Sequence, residues 1–317
     1  MNAFSYRPNS DHTQRMAPKR VLVIHYSQTG QLTELLQRIT GPLVEAGIHV
    51  DHLPIEPLVP FPFPWSRVAF FNAFPESTGR EPMPLRPFSA AEGPYDLIIL
   101  GYTIWYLNPS IPITSFLLHP QARGIIQGRP VLTVIGSRNM WVMAQEYVRE
   151  RITALGGSLV GNIAVVDRSG NLTSVITIIR WMFWGRKDPF LVFPHAGIRS
   201  ADIQGASRFG DLLADHLKGG SLEGINDALL RMGSARIKPT LLVLERRATF
   251  VFGKWRRFIM ARAHANPQSR IRRVKFFSIA LPMLIFLVAP LSALSVKVLG
   301  LVKGRTLRKE IEALLRY

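Results

Sequence analysis

The chain contains no cysteine. Disulfides, zinc–thiolate and iron–sulfur sites, and a thiol nucleophile are therefore excluded. A chain without disulfides suits the cytoplasm. Acidic residues are also scarce: 21 Asp/Glu stand against 39 Lys/Arg in 317 residues, for a formal net charge of +18. That excess suggests a nucleic-acid footprint until it is located. Nineteen Lys/Arg and only three Asp/Glu fall between Arg231 and Tyr317, so the first 230 residues are nearly neutral. The charge belongs to a C-terminal appendage in which an apolar run follows the basic one, and no nucleic-acid partner is expected. No secretory leader is expected either, since the first apolar run, Val21–Ile24, is short and late. Residues 1–18 are polar, are broken by Pro8 and Pro18, and read as a disordered leader.

What is present is an alternation of strands and helices. "VLVIHY" (21–26), Ile48–Leu53, "YDLIILG" (95–101), "RPVLTVIG" (129–136) and "LVGNIAVV" (159–166) are short apolar runs, most of them ended by glycine or polar residues. Between them Leu32, Leu35, Leu36, Ile39 and Leu43 recur at helical spacing, as do the apolar positions of 144–155 and 206–217. Strands apolar on both faces and separated by helices predict an α/β fold with a doubly wound, five-stranded parallel sheet. Ligands in such sheets bind beyond the carboxyl ends of the strands. Those ends are the loops 26–33, 102–112 and 136–143.

The first loop, "YSQTGQLT", sets the hydroxyls of Ser27 and Thr29 and the N–H groups around Gly30 ahead of a helix N-terminus. That is a dianion cradle. No lysine follows, so it is not a nucleoside-triphosphate loop. Two further segments depart from the minimal pattern. Residues 54–94 hold 10 of the 23 prolines together with Phe61, Phe63, Trp65, Phe70, Phe71, Phe74 and Phe88, and read as a packed lid rather than a linker. "LTSVITIIRWMFW" (172–184), within a second insertion at 170–200, is apolar except for Arg180 and three hydroxyl residues, and lies on the ligand side.

"YSQTGQLT" resembles the flavin-phosphate loop of the flavodoxin-like fold, and "YDLIILGYTIWYLNPSIPITSFL" resembles that family's third strand and aromatic loop. "PFPFPW", "AFPES", "GSRNMW" and "VDRSGNLTSVITI" are similar to flavodoxin-like proteins known as dialkylresorcinol condensing enzymes. The resemblance implies FMN as cofactor in a domain spanning 19–220. Ser27, Gln28, Thr29, Gly30, Gln31, Leu32 and Thr33 would hold its phosphate, although flavodoxins usually carry threonine where Leu32 stands. Thr103, Ile104, Trp105 and Tyr106 would line the isoalloxazine with Asn108 nearby. Gly136, Ser137, Arg138 and Asn139 would approach its polar edge. His25, Tyr26 and Tyr102 are near the right strand ends, but none stands out as a general base.

Residues 221–275 form a basic linker or helical region, in which 245–275 hold ten Lys/Arg against Glu245 alone. Phe276–Val296 then gives 21 residues without a charge. At about 1.5 Å per residue this reaches roughly 30 Å, the thickness of a bilayer core. Residues 276–302 are thus expected to insert into a membrane, as a single span or a re-entrant segment. Residues 303–317, with Leu307, Ile311, Leu314 and Leu315 at helical spacing, form an amphipathic tail expected along its surface. Anionic membrane lipids are the expected partner of the basic run. The location that follows is the cytoplasmic face of the inner (plasma) membrane.

Together these features predict a membrane-associated, FMN-dependent oxidoreductase. The resemblance implies aryl-lipid biosynthesis, in which a cyclic dione bearing alkyl chains is oxidised to the aromatic ring. Because no cysteine can carry a thioester, carbon–carbon bond formation falls to a partner ketosynthase. The alternative is a membrane-tethered electron-transfer flavodoxin without a substrate of its own.

Overall fold

The structure, a computed structural model, describes residues 18–261, 263 and 266–317, with only the backbone course for 286–303. The expected leader lies outside the described residues but for Pro18. Among the described residues there are six strands: β1 (Arg20–His25), β2 (His49–Pro54), β3 (Leu97–Trp105), β4 (Asn108–Pro109), β5 (Pro130–Ser137) and β6 (Ser158–Val166). β2-β1-β3-β5-β6 are neighbours in that order and parallel throughout, while the two-residue β4 pairs antiparallel with the end of β3. Counting the parallel strands alone, the order 2-1-3-4-5 is that of the flavodoxin-like doubly wound fold. The third strand does not stop at Gly101, as its glycine suggests. Gly101 lies inside the ladder, where a Cβ would come 2.7 Å from Leu36 Cδ1, so the missing side chain serves packing instead of a turn.

The helices are α1 (Gln31–Glu45), α2 (Arg67–Asn72), α3 (Phe74–Gly79), α4 (Ile111–Leu118), α5 (Pro120–Ile126), α6 (Val142–Ala154), α7 (Asn171–Trp184), α8 (Ser200–Gln204), α9 (Ser207–Lys218), α10 (Ile225–Arg231), α11 (Pro239–Met260) and α12 (Pro267–Leu314). One sheet face is covered by Leu35, Ile39 and Leu43 of α1 with Phe209 and Leu213 of α9. The other is covered by Phe116 of α4, Ile126 of α5 and Val148 of α6. Covering both faces is why the strands read as unbroken apolar runs.

The C-terminal region differs from expectation. Leu242 of α11 and Leu307 of α12 enter the same buried cluster as α4–α6, with Ile311, Leu314 and Leu315 packed beside them. Asn226 Nδ2 donates to Leu315 O at 2.8 Å, and Gln145 Nε2 donates to the Tyr317 hydroxyl at 3.3 Å. The stripe expected on a membrane surface thus packs against the chain's own sheet layer, with Leu307 buried and Ile311, Leu314 and Leu315 half-buried. The basic "linker" is helical, and part of its charge ties it to the lid. Arg256 pairs with Glu81, and Arg270 with Glu76 at 2.7 Å. Phe277 packs on Phe74 at 4.3 Å and on Trp255 at 5.1 Å between ring centroids. Among the described residues no helix is long and apolar enough to cross a membrane.

Candidate functional site

A cavity of about 260 Å³ opens at the carboxyl ends of β1, β3 and β5. Its polar side is the turn between β1 and α1. Gly30 caps α1 with φ of 79°, a left-handed conformation that side chains other than glycine's strain to adopt. Among the backbone N–H groups of residues 27–33, Thr33's alone finds a protein acceptor, Ser27 Oγ at 3.4 Å. The others stand at the positive end of the α1 dipole, free for an anion.

Gln28, Thr29, Gln31 and Leu32 line the cavity. The two glutamine side chains are both engaged within the protein. Gln28 Nε2 donates to Pro62 O at 2.9 Å and its Oε1 accepts from Trp65 Nε1 at 3.1 Å, which fastens the lid to the turn. Gln31 clamps the backbone of Ile198 from both sides, with both bonds at 3.1 Å. Leu32 is a core residue whose side chain reaches the wall, so its contribution to an anion is backbone only.

The second edge is the end of β3. Thr103, Ile104, Trp105 and Tyr106 line the cavity. Tyr106 and Leu107 form the tip of a two-residue hairpin into β4, with φ of 47° and 66°. Both angles are those of a type I′ turn, usually left to asparagine and glycine. Three side-chain bonds hold the strained turn. Ser77 Oγ donates to Trp105 O at 2.8 Å, Tyr106 Oη to Phe70 O at 2.8 Å, and Asn108 Nδ2 to Tyr106 O at 3.0 Å. Asn108 therefore builds the hairpin and lies outside the cavity lining. Trp105 meets Phe61 and Trp65 of the lid edge-on, at 4.8 and 5.5 Å, and Tyr26 at 6.0 Å.

The third edge, after β5, brings Gly136, Ser137 and Arg138 to the cavity. Arg138 Nη1 donates to Asn171 O and Oδ1 at 3.0 Å each, and Asn139 Nδ2 to the same Oδ1 at 3.1 Å. Asn139 itself, like Ser27, Gly30 and Thr33, does not line the cavity. Burial lowers the Arg138 pKa to about 10, opposed by the nearby Asp167 carboxylate, so the group stays cationic at neutral pH. Thr103 Oγ1, Ser137 Oγ and Asn139 Oδ1 are buried with no partner. Buried polar groups are rarely left so, and two of these three belong to residues on the cavity wall.

The far wall is apolar. It is built from Trp65, Phe70 and Ala73 of the lid and from Ile178, Ile179, Trp181, Met182 and Phe183 of α7. Phe71 is not part of it, being packed between Phe183 and Phe277. Of the groups considered as bases, His25, Tyr26 and Tyr102 are all off the lining, and Tyr102 is fully buried with its hydroxyl on Gln145 at 2.5 Å. Sequence reasoning missed Asp167, the one carboxylate on the wall among the described residues. It accepts from Ser169 N at 2.8 Å and Ser174 Oγ at 2.6 Å. Its position just past β6, another strand end, was the available signal.

No protein-family model matches the chain, and no curated protein matches it. Among solved structures it is similar to a flavoprotein in complex with FMN from Lactobacillus acidophilus NCFM, at 16% identity over 45% of this chain and 91% of that one, with a TM-score of 0.38. A flavodoxin from the domain Archaea matches at 13% identity over 63% and 99%, TM-score 0.35. Oxidised flavodoxin 1 from Bacillus cereus matches at 12% over 62% and 99%, TM-score 0.35. These likenesses are distant, and the class rests on strand order and parallel register. The chain has the flavodoxin-like fold, with an apolar cover across the ligand end of its sheet.

Proposed function

We propose that the chain is an FMN-dependent oxidoreductase whose substrate is an apolar, alkyl-substituted ring. The observation that carries this reading is the division of the cavity into a polar half at three strand ends and an apolar half made by the lid and α7. The polar half carries the kinds of group that FMN needs. The free N–H groups of 27–32 suit its phosphate, Trp105 offers an aromatic wall, and the unpartnered Thr103 and Ser137 hydroxyls suit its polar atoms. When bound, FMN supplies the two-electron acceptor that aromatisation of a cyclic dione requires.

The chain's own residues do the rest. Arg138, desolvated and cationic, offers positive charge at the polar edge. Asp167 balances that charge, and its bonds to Ser169 and Ser174 hold the start of α7. Phe70, Trp65 and Phe183 exclude water and present apolar surface to alkyl chains, each methylene contributing about 0.8 kcal/mol. An electron-transfer flavodoxin would keep its cofactor edge at the surface, and the lid speaks against that reading. The sequence likeness supports a place in dialkylresorcinol-type aryl-lipid formation, downstream of a partner ketosynthase.

Attachment to the cytoplasmic face of the plasma membrane through 276–302 is part of the same reading. The reading rests on the uncharged run Phe276–Val296 and the basic residues before it.

Purified protein is expected to be yellow and to release about one FMN per chain. With an added electron acceptor it should convert a dialkyl cyclohexanedione to the resorcinol. Colourless protein that takes up no FMN overturns the reading. Flavin-loaded protein that leaves the dione untouched but exchanges electrons with small carriers moves it to electron transfer.

A further inference from the structure

The loop that leaves α7 at Gly185 returns to the cavity wall at Gly197 and Ile198. At its far end Phe190 and Phe193 exchange two backbone hydrogen bonds, 3.1 and 2.8 Å, and stack their rings 4.9 Å apart. They close a two-residue turn whose tip is Leu191 and Val192, 94% and 89% exposed. Leu191 has φ of 48°. Glycine, asparagine or aspartate is the usual occupant of such a position, because φ is positive and the tip meets water. Here a leucine takes the strained site and a valine follows it. Pro189 and Pro194 flank the turn and fix their own φ angles, so the tip projects as a rigid point.

Charge surrounds that point. Between residues 180 and 199 there are four Lys/Arg against one Asp. The Arg180 guanidinium lies over the Phe190 ring at 4.5 Å, and Arg180 and Arg186 reach Asp188 at 2.9 and 3.5 Å. The Lys187 ammonium stands 5.3 Å from the Trp181 ring. Trp184, at the end of α7, is 64% exposed. An apolar tip, a cationic collar and an exposed tryptophan form the pattern of an interfacial anchor.

We infer that the Phe190–Phe193 turn inserts into an anionic lipid bilayer, seating Leu191 and Val192 among the acyl chains while Arg186 and Lys187 meet the headgroup phosphates. A protein partner is disfavoured by shape. A stable protein interface covers about 800 Å² on each side, and a convex tip of two side chains offers no groove or face of that size. The base of the loop is fixed to the cavity, since Gln31 clamps Ile198 and Ala196 N donates to Lys187 O at 3.0 Å. Insertion of the tip therefore turns the cavity mouth toward the membrane. The inference shares the membrane with the proposed function but stands on a different segment from the C-terminal run.

The absence of cysteine makes the test direct. A Val192→Cys variant labelled with an environment-sensitive fluorophore, and a Glu45→Cys control at the opposite end of α1, are mixed with vesicles of phosphatidylcholine alone or with 30% phosphatidylglycerol. Anionic vesicles should shift the residue 192 probe to the blue, and nitroxide lipids should quench it, with the residue 45 probe unchanged. Unlabelled Leu191→Asp/Val192→Asp protein should bind those vesicles roughly tenfold or more weakly at unchanged cofactor content. Protein that sediments with vesicles while the residue 192 probe is unaffected overturns the turn as an anchor and leaves the C-terminal attachment standing. Failure to sediment at all overturns both, and a concentration-dependent shift without vesicles assigns the tip to self-association instead.

Discussion

Gln28 accepts the indole N–H of Trp65 at 3.1 Å, and this bond joins the anion-binding turn to the lid. The same glutamine donates to Pro62 O at 2.9 Å, so one side chain holds the lid at two points. Gln28→Ala leaves a partly buried indole N–H without an acceptor, at about 1 kcal/mol. FMN should then dissociate roughly fivefold faster, with the absorption spectrum unaltered. An unchanged rate of fluorescence recovery on dilution would show that the lid does not retain the cofactor.

The turn itself is tested by Thr29→Val with Gly30→Val. A β-branched residue at φ of 79° is strained, and the branched side chains crowd the free N–H groups. FMN binding should be lost while far-ultraviolet circular dichroism stays near that of the parent. Full FMN affinity in the double variant moves the phosphate elsewhere.

Arg138 carries its charge into a desolvated wall. Arg138→Met removes a cation from the polar edge, where it favours an anionic reduced cofactor. The two-electron midpoint potential should fall by tens of millivolts, about 30 mV for each factor of ten in stabilisation. A potential equal to that of the parent would place the guanidinium too far from the ring to matter.

Glu245 reaches from α11 to the start of α6, accepting from Met143 N at 2.8 Å. Burial raises its pKa from 4.5 to about 7, against the lowering effect of the Met143 and Val142 N–H groups. Between those values the folded chain keeps a proton that the unfolded chain has released. Stability therefore falls as pH rises through this window, by up to about 1.4 kcal/mol per unit, and levels off above it. Glu245→Gln keeps an acceptor for the N–H groups and should flatten this group's contribution. The comparison is Tm against pH from 4.5 to 8 for both proteins, and equal slopes would count against the assignment.

Phe70 lies on the apolar wall, whereas Phe71 supports the lid from behind. Phe70→Ser should weaken turnover of long-chain diones more than short-chain ones at similar FMN content. Phe71→Ala should instead lower Tm, by the equivalent of about 3–5 kcal/mol, whatever the chain length. Equal losses for short and long chains in Phe70→Ser would make the lid purely structural.

Much of this was legible in the chain because it was written locally. Val21–Ile24 and Leu97–Leu100 are buried on both faces and read as buried strands, and seven aromatics among ten prolines read as a packed lid. The end of β3 was less legible. Tyr106 and Leu107 occupy a turn that ordinarily announces itself with asparagine or glycine, so Trp105 looked like a loop residue although it ends a strand. The roles of the Gln28 and Gln31 side chains were not legible, because their acceptors and donors lie at Pro62, Trp65 and Ile198, far along the chain. The tail shows the limit most plainly. An apolar stripe of Leu307, Ile311 and Leu314 has the same spacing whether it meets lipid or protein, and its true neighbours are on strands and helices far back in the sequence.

That return of the tail sets an order of events during synthesis. The sheet is complete once Val166 has been made, yet the face it shares with α4–α6 also needs Leu242 and Leu307, and Gln145 waits for Tyr317. At about 5–20 residues per second, the stretch from β6 to Leu307 takes on the order of ten to thirty seconds to emerge. Through that interval the nascent chain carries an uncovered apolar face and a lid without its backing of Phe252 and Phe277. A chaperone has its longest opportunity there, and a ribosome stalled between residues 220 and 300 would present a sheet already formed and a cofactor site still open.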